Sequence, residues 1–212
     1  MLHTGTVEGK TFELLVRLMG DEWFKDFHLA GGTALALQTG HRKSIDLDLF
    51  ALEDFDSDNL SQYLKANYGF SDSYIGKNTL RGFAEEIKVD FLAHAYPLVA
   101  PILAINNIRM YSAKDVAAMK LNAIIHNGTR VKDFVDIAWL SSVMPLSEML
   151  GAFETKYQSN YVIALKSLLY FDDIDFNEPV QMTAGKFQWK AISKRLEMMS
   201  KEPKQIFPIP EA

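Results

Sequence analysis

Apolar residues recur at helical spacing over residues 10–19, where Phe12, Leu14, Leu15 and Leu18 share a side and Gly20 ends the run. A first amphipathic helix is expected there. The pattern then shortens. Phe27, His28, Leu29 and Ala30 form a strand-like run that stops at Gly31 and Gly32, and residues 33–38 are helix formers, so the segment reads as strand, tight turn, helix. Over residues 44–50 the period is two, with Ile45, Leu47 and Leu49 on one side and Ser44, Asp46 and Asp48 on the other. That is the alternation of a half-buried strand. Residues 58–67 read as a helix, and 71–77, 80–83 and 86–93 as strands with turn residues between them.

From residue 113 the helical period takes over, at 113–125, 131–143, 146–157, 162–170 and 191–199. Pro97, Pro101, Asn106 and Asn107 punctuate the stretch before it and mark the expected crossing. The expectation is an α/β (α+β) chain with a strand-rich domain over residues 1–100 and a helical domain over 101–212. No repeat or low-complexity tract interrupts it.

Composition narrows the class. Of 212 residues 48% are hydrophobic and 23% charged, the balance of a packed globular chain. A net charge of −5 opposes a uniformly basic nucleic-acid coat while leaving a local basic groove open. The absence of cysteine excludes disulfides and thiolate metal sites and points to a reducing cytoplasm. The first ten residues lack the basic start and apolar run of a secretory signal, and no stretch nears the roughly 18 apolar residues of a span. A cytoplasmic protein without a membrane partner is expected. The five histidines show no zinc-ligand spacing.

Asp46 and Asp48 lie two apart on one expected strand, so both carboxylates project from one face, where they can hold magnesium or form a merely solvated surface. Upstream, Gly31-Gly32-Thr33 brings free backbone amides and a helix N-terminus to the same end of the sheet. Phosphate docks well on such a group, although a glycine pair also makes an ordinary turn.

The stretches Leu29-Ala30-Gly31-Gly32-Thr33-Ala34-Leu35-Ala36-Leu37 and His41-Arg42-Lys43-Ser44-Ile45-Asp46-Leu47-Asp48-Leu49-Phe50 closely resemble the opening motifs of the AbiEii/AbiGii toxin nucleotidyltransferases, in the polymerase-beta-like superfamily. Met119-Lys120-Leu121-Asn122-Ala123-Ile124 and Thr129-Arg130-Val131-Lys132-Asp133-Phe134-Val135-Asp136-Ile137 resemble later motifs of that family. The resemblance implies a nucleotidyltransferase-like mixed sheet with flanking helices, followed by a helical lobe. It implies transfer of a nucleotidyl group from a nucleoside triphosphate to a hydroxyl by in-line attack at the α-phosphate, with pyrophosphate leaving. It also implies a toxin with a cognate antitoxin, acting on RNA and in particular on the acceptor ends of transfer RNAs.

By that resemblance Asp46, Asp48 and Asp90 hold magnesium, Asp90 coming from the alternating run 86–92; the bland alternative makes it an exposed strand residue like Lys88. Gly31, Gly32 and Thr33 cradle the phosphates, Arg42 clamps phosphate and Ser44 orients the metal ligands. Lys120 sits on an apolar stripe between Val116 and Ile124, either to place a cation on the triphosphate or to snorkel from the stripe's edge. Asp133 finishes the site. It and Asp136 share a helical face and orient Lys120 or Arg130, unless they only favour a helix N-terminus capped by Thr129. The basic tail 186–204 either contacts RNA phosphates or is a solvated helix. The rival functions are nucleotidyl transfer to a small hydroxyl compound such as an aminoglycoside, and a non-catalytic module that binds nucleotide or protein.

Overall fold

Leu14, Leu15, Leu18 and Met19 are the buried stripe of helix α1 (Gly9–Gly20), as the period demands. Strand β1 (Phe27–Ala30) follows, and the backbone turns through Gly31, at φ +65°, into α2 (Gly31–Thr39). Strand β2 (Leu47–Ala51) leads to α3 (Ser57–Tyr68), whose N-terminus is capped by Asp56 accepting from the amides of Asp58 and Asn59. Strands β3 (Ser71–Gly76), β4 (Thr79–Ala84) and β5 (Ile87–Ala93) come next. The computed structural model describes residues 1–210.

Two departures from the sequence expectation have local causes. Strand β2 begins at Leu47, three residues late, and Ile45 is 61% exposed. The Asp46 carbonyl accepts from the Thr33 hydroxyl, which takes the backbone ahead of Leu47 out of the sheet's hydrogen-bond ladder. Further on, the punctuated stretch after Tyr96 contains a hairpin, β6 (Leu103–Ile105) and β7 (Ile108–Met110). Asn106 and Asn107 sit at φ 52° and 62°, the double left-handed geometry of a two-residue hairpin turn, for which asparagine is suited.

The seven strands form one mixed sheet in the order β3-β4-β5-β2-β1-β7-β6. β2 runs parallel to β5 and antiparallel to β1, which is parallel to β7. One face of the centre carries Leu29, Leu49 and Phe91 in register, all buried, with Phe24 stacked on Phe91. The opposite parity carries Asp48 and Asp90.

The chain divides into two compact units, one comprising Met1–Gln38, Ser44–Tyr96 and Ile102–Tyr111, the other Thr39–Lys43, Pro97–Pro101 and residues from Ser112 on. The sequence suggests a single crossing near residue 100; in the structure segments 39–43 and 97–101 group with the helices and the β6–β7 hairpin with the sheet.

The second unit is built from α4 (Ala113–His126), α5 (Val131–Leu140), α6 (Leu146–Tyr157), α7 (Tyr161–Leu168) and α8 (Trp189–Lys201). Helix α5 ends three residues early, because Ser142 and Val143 close tight turns on Trp139 and Leu140 ahead of Pro145. Thr129 is not its cap: Arg130 holds that position, and the Thr129 hydroxyl donates to Asn127 Oδ1. Helix α8 buries Ile192, Leu196 and Met199, and Trp189 meets Phe134, Phe171 and Phe176 edge to face. Lys190, Lys194 and Lys201 of α8 are exposed, as are Lys186 and Lys204 on either side of it. No helix among the described residues is long and apolar enough to cross a membrane.

Candidate active site

Parallel pairing of β2 with β5 sets Asp48 directly beside Asp90, and directly opposite Ala30 on the other side. Paired strand residues point their side chains to the same face, so the two carboxylates are neighbours by construction. The chain then turns from Ala30 through Gly31. A methyl group built on Gly31 would lie 2.1 Å from Asp48 Oδ2, so the Asp48 carboxylate rests against the glycine turn that opens α2. Only glycine allows both the positive φ and this approach.

Asp90 is buried on the otherwise open side of β5, where Lys88 is exposed. Its Oδ2 lies 3.4 Å from Lys88 Nζ and 3.8 Å from Nε of Arg81, its cross-strand partner. Its Oδ1 is buried without a hydrogen-bond partner. Such an atom is costly to leave unsatisfied. Asp46 is half-buried just ahead of β2 and is fixed through its main chain: Thr33 Oγ1 donates to the Asp46 carbonyl at 2.5 Å and meets Ser44 Oγ at 2.8 Å. Thr33 is 1% exposed, so its hydroxyl braces this loop from within.

No group of three or more histidines or acids among the described residues is arranged to hold a metal. Two facing carboxylates and the unsatisfied Asp90 Oδ1 nevertheless fit magnesium, which keeps several waters and takes one or two carboxylates together with substrate phosphates.

The remaining candidates are gathered in the helical unit. Arg42 grips Asp136 with Nε at 2.6 Å from Oδ1 and Nη2 at 2.8 Å from Oδ2, a bidentate pair. His41 Nε2 reaches the same Oδ1 at 2.8 Å. Lys120 Nζ sits 2.5 Å from Asp133 Oδ1 and 2.9 Å from Asp136 Oδ2. All five side chains are buried. Lys120 therefore does not snorkel from the edge of its stripe, and Arg42 directs three donors at Asp136 and the Lys43 carbonyl. Asp133 and Asp136 do hold Lys120, and Arg130 approaches Asp133 more loosely, at 3.7 Å.

Burial alone would push the Asp136 carboxyl up, but the Arg42 and Lys120 cations outweigh it and hold the group well below the ordinary range. Burial acts the other way on His41: it depresses the imidazole below 6.5 despite the Asp136 hydrogen bond. A base depressed in the folded state binds fewer protons than the unfolded chain below pH 6.5, so folding weakens as pH falls through that value. Asp136 adds its own loss only below the ordinary carboxylate range. Thermal denaturation from about pH 7.5 to about pH 5.5 should thus show a falling midpoint, and His41→Gln should flatten the slope. An unchanged slope would remove His41 from the account.

The sequence reading did not foresee the Asp115–Lys156 pair. Asp115 accepts from Lys156 Nζ at 2.9 Å, from the Ser112 hydroxyl and from the amides of Val99 and Ala100. The available signal was Ser112-x-x-Asp115 at the start of α4, a capping box.

A protein from H. pylori assigned to the nucleotidyltransferases has the same fold, with TM-score 0.58 and 16% identity over 93% of this chain and 96% of the other. JHP933 from Helicobacter pylori matches with TM-score 0.54 and 16% identity over 93% of each chain. The fold is thus a nucleotidyltransferase fold. The family profile described as "Nucleotidyl transferase AbiEii toxin, Type IV TA system" matches residues 13–91 and 82–205. An uncharacterised Aquifex aeolicus protein is 36% identical over 155 residues, 70% of this chain and 75% of that one. The chain belongs to the AbiEii nucleotidyl transferase toxin family of type IV toxin–antitoxin systems, and it is a nucleotidyltransferase.

Proposed function

We propose that this chain transfers a nucleoside monophosphate from a triphosphate to an RNA hydroxyl, that of a transfer RNA terminus in particular, as a cytoplasmic toxin restrained by a cognate antitoxin. The observation that carries the chemistry is the pairing of Asp48 with Asp90, with the Asp48 carboxylate against the glycine turn at the start of α2. Gly31, Gly32 and Thr33 offer backbone amides to the phosphates there. Asp48 and Asp90 would hold magnesium, which would neutralise phosphate charge and make an incoming hydroxyl a better nucleophile, and Asp46, just ahead of β2, is the further acid proposed for that ion. The acceptor oxygen bonds to the α-phosphorus, the bond to the bridging oxygen breaks and pyrophosphate departs. Ser44 steadies the Asp46 loop through Thr33. Arg42, Lys120 and Asp133 are positioning residues: their charges are matched inside a buried network that fixes segment 39–43, which precedes Ser44 and Asp46 in the chain. The exposed lysines of α8 support a polyanionic acceptor.

The test is incorporation of label from each of four α-labelled triphosphates, with magnesium, into total bacterial RNA, protein and small molecules. Label is expected in RNA, and Asp48→Ala is expected to lower it at least about a hundredfold, the scale of losing one electrostatic stabiliser. Label on a small molecule instead would keep the transfer and overturn the acceptor. No label anywhere, with no triphosphate bound, would overturn the reading.

A further inference from the structure

The sheet face that carries Asp48 and Asp90 continues, one step along each strand, into a cluster of rings. His28 is the register partner of Phe50, two residues beyond Asp48, and Phe50 pairs with Leu92, two beyond Asp90. The His94 amide donates to the Ala51 carbonyl, and the Tyr96 amide closes a tight turn on the His94 carbonyl. The first bond carries the parallel β2–β5 ladder one residue past β5, and the second turns the chain at once beyond it. The His94 ring lies 5.5 Å from Phe50 and 4.8 Å from Tyr96, both tilted, while Tyr111 meets His28 and Phe50 edge to face at 6.0 and 6.4 Å.

Burial decreases outward across the cluster. Tyr111 is fully buried, Phe50, Leu92 and His94 are half-buried, and Tyr96 is 45% exposed. A ring set whose outer members stay open is a surface with an inner backing, not a closed core. His28 Nδ1 is buried without a hydrogen-bond partner, so the cluster holds a polar atom that packing alone leaves unsatisfied. Burial first, and Arg109 second, lower the His28 imidazole below its ordinary value.

We propose that Phe50, His94 and Tyr96 form a stacking wall for a nucleobase beside the carboxylates of the transfer site. The proposal rests on the transferase reading above. Phe50 lies two strand positions from Asp48, roughly 7 Å, a distance that a ribose bridges between a phosphate and its base. Aromatic faces take any base and so give affinity without choosing among the four. The base belongs either to the incoming triphosphate or to the acceptor's terminal nucleotide, which share this chemistry and differ in the experiment.

Equilibrium binding of the α,β-methylene analogues of the four triphosphates would be measured for wild type, Tyr96→Ala, His94→Ala and Tyr96→Trp, with ribose 5-triphosphate as a probe lacking the base. If the wall takes the triphosphate's base, Tyr96→Ala weakens the analogues by roughly 5- to 100-fold, leaves ribose 5-triphosphate unchanged, and Tyr96→Trp restores binding. If it takes the acceptor's base, analogue binding is unchanged and the KM for total bacterial RNA rises over a similar range with kcat little altered. Unchanged binding and unchanged KM in both alanine variants, folded by circular dichroism, would overturn the wall. That result with wild-type transfer intact leaves the transferase standing; loss of all transfer in wild type, with Tyr96-dependent analogue binding retained, fails the transferase and not the wall.

Discussion

Asp136→Ala is expected to destabilise the protein by about 3–5 kcal/mol, the usual effect of removing one partner from a buried ion network. With His41 neutral, the cluster carries two cations, Arg42 and Lys120, against two anions, Asp133 and Asp136, and so is balanced. Without Asp136 the Arg42 fork and one of the two Lys120 contacts lose their acceptor, His41 loses its second hydrogen bond, and an unmatched positive charge stays buried. The melting midpoint should fall by roughly 10 °C. Asp136→Asn, which preserves shape and part of the hydrogen bonding, should fall between alanine and wild type. In a double-mutant cycle, Arg42→Ala and Asp136→Ala should couple by at least about 1 kcal/mol, because the second loss removes a charge that the first has stranded. Additive effects would show that the two side chains do not act as a pair in solution.

That cluster also shows where sequence reasoning stopped. Asp133 and Asp136 are recognisable as neighbours on one helical face, and Lys120 as a cation out of place on an apolar stripe, because both inferences need only the 3.6-residue period. Nothing local ties Arg42 to Asp136, 94 residues away, or shows that a basic residue ahead of an acidic strand turns inward. The same limit explains the sheet. Period two revealed the alternation of Leu47 and Leu49 against Asp48, whereas the parallel register that sets Asp48 beside Asp90 is a long-range fact. Ile45 continued the alternation in sequence and broke it in space, because the Asp46 carbonyl goes to the Thr33 hydroxyl and the Ser44 amide to the Thr6 carbonyl. The β6–β7 hairpin hid for a different reason: its strands have three residues each, too short for a period, and its two asparagines read equally well as linker.

Gly31→Ala is expected to lower nucleotidyl transfer by about a hundredfold or more while costing only about 1–2 kcal/mol of stability, the penalty of an L side chain in left-handed geometry. The new methyl would fall 2.1 Å from Asp48 Oδ2 and 3.0 Å from Cγ, so the carboxylate must move. Asp48 has few ways to yield. It is two bonds from a strand backbone held on both sides, by Ala30 and by Asp90. Its displacement shifts the group nearest to the phosphate turn, and a misplacement of about 1 Å is enough for a loss of this size. The control is Gly151→Ala, inside α6, where an added methyl meets nothing within 4 Å: activity should be unchanged and stability should rise by about 0.5–1 kcal/mol. Label incorporation and thermal melts on the two variants separate the cases. A Gly31→Ala enzyme with wild-type turnover would mean that the Asp48 carboxylate is not used where the structure puts it, and would detach the glycine turn from the acidic pair. A loss of turnover with a small thermal shift would tie the turn, the carboxylate and the transfer chemistry to one place on the sheet.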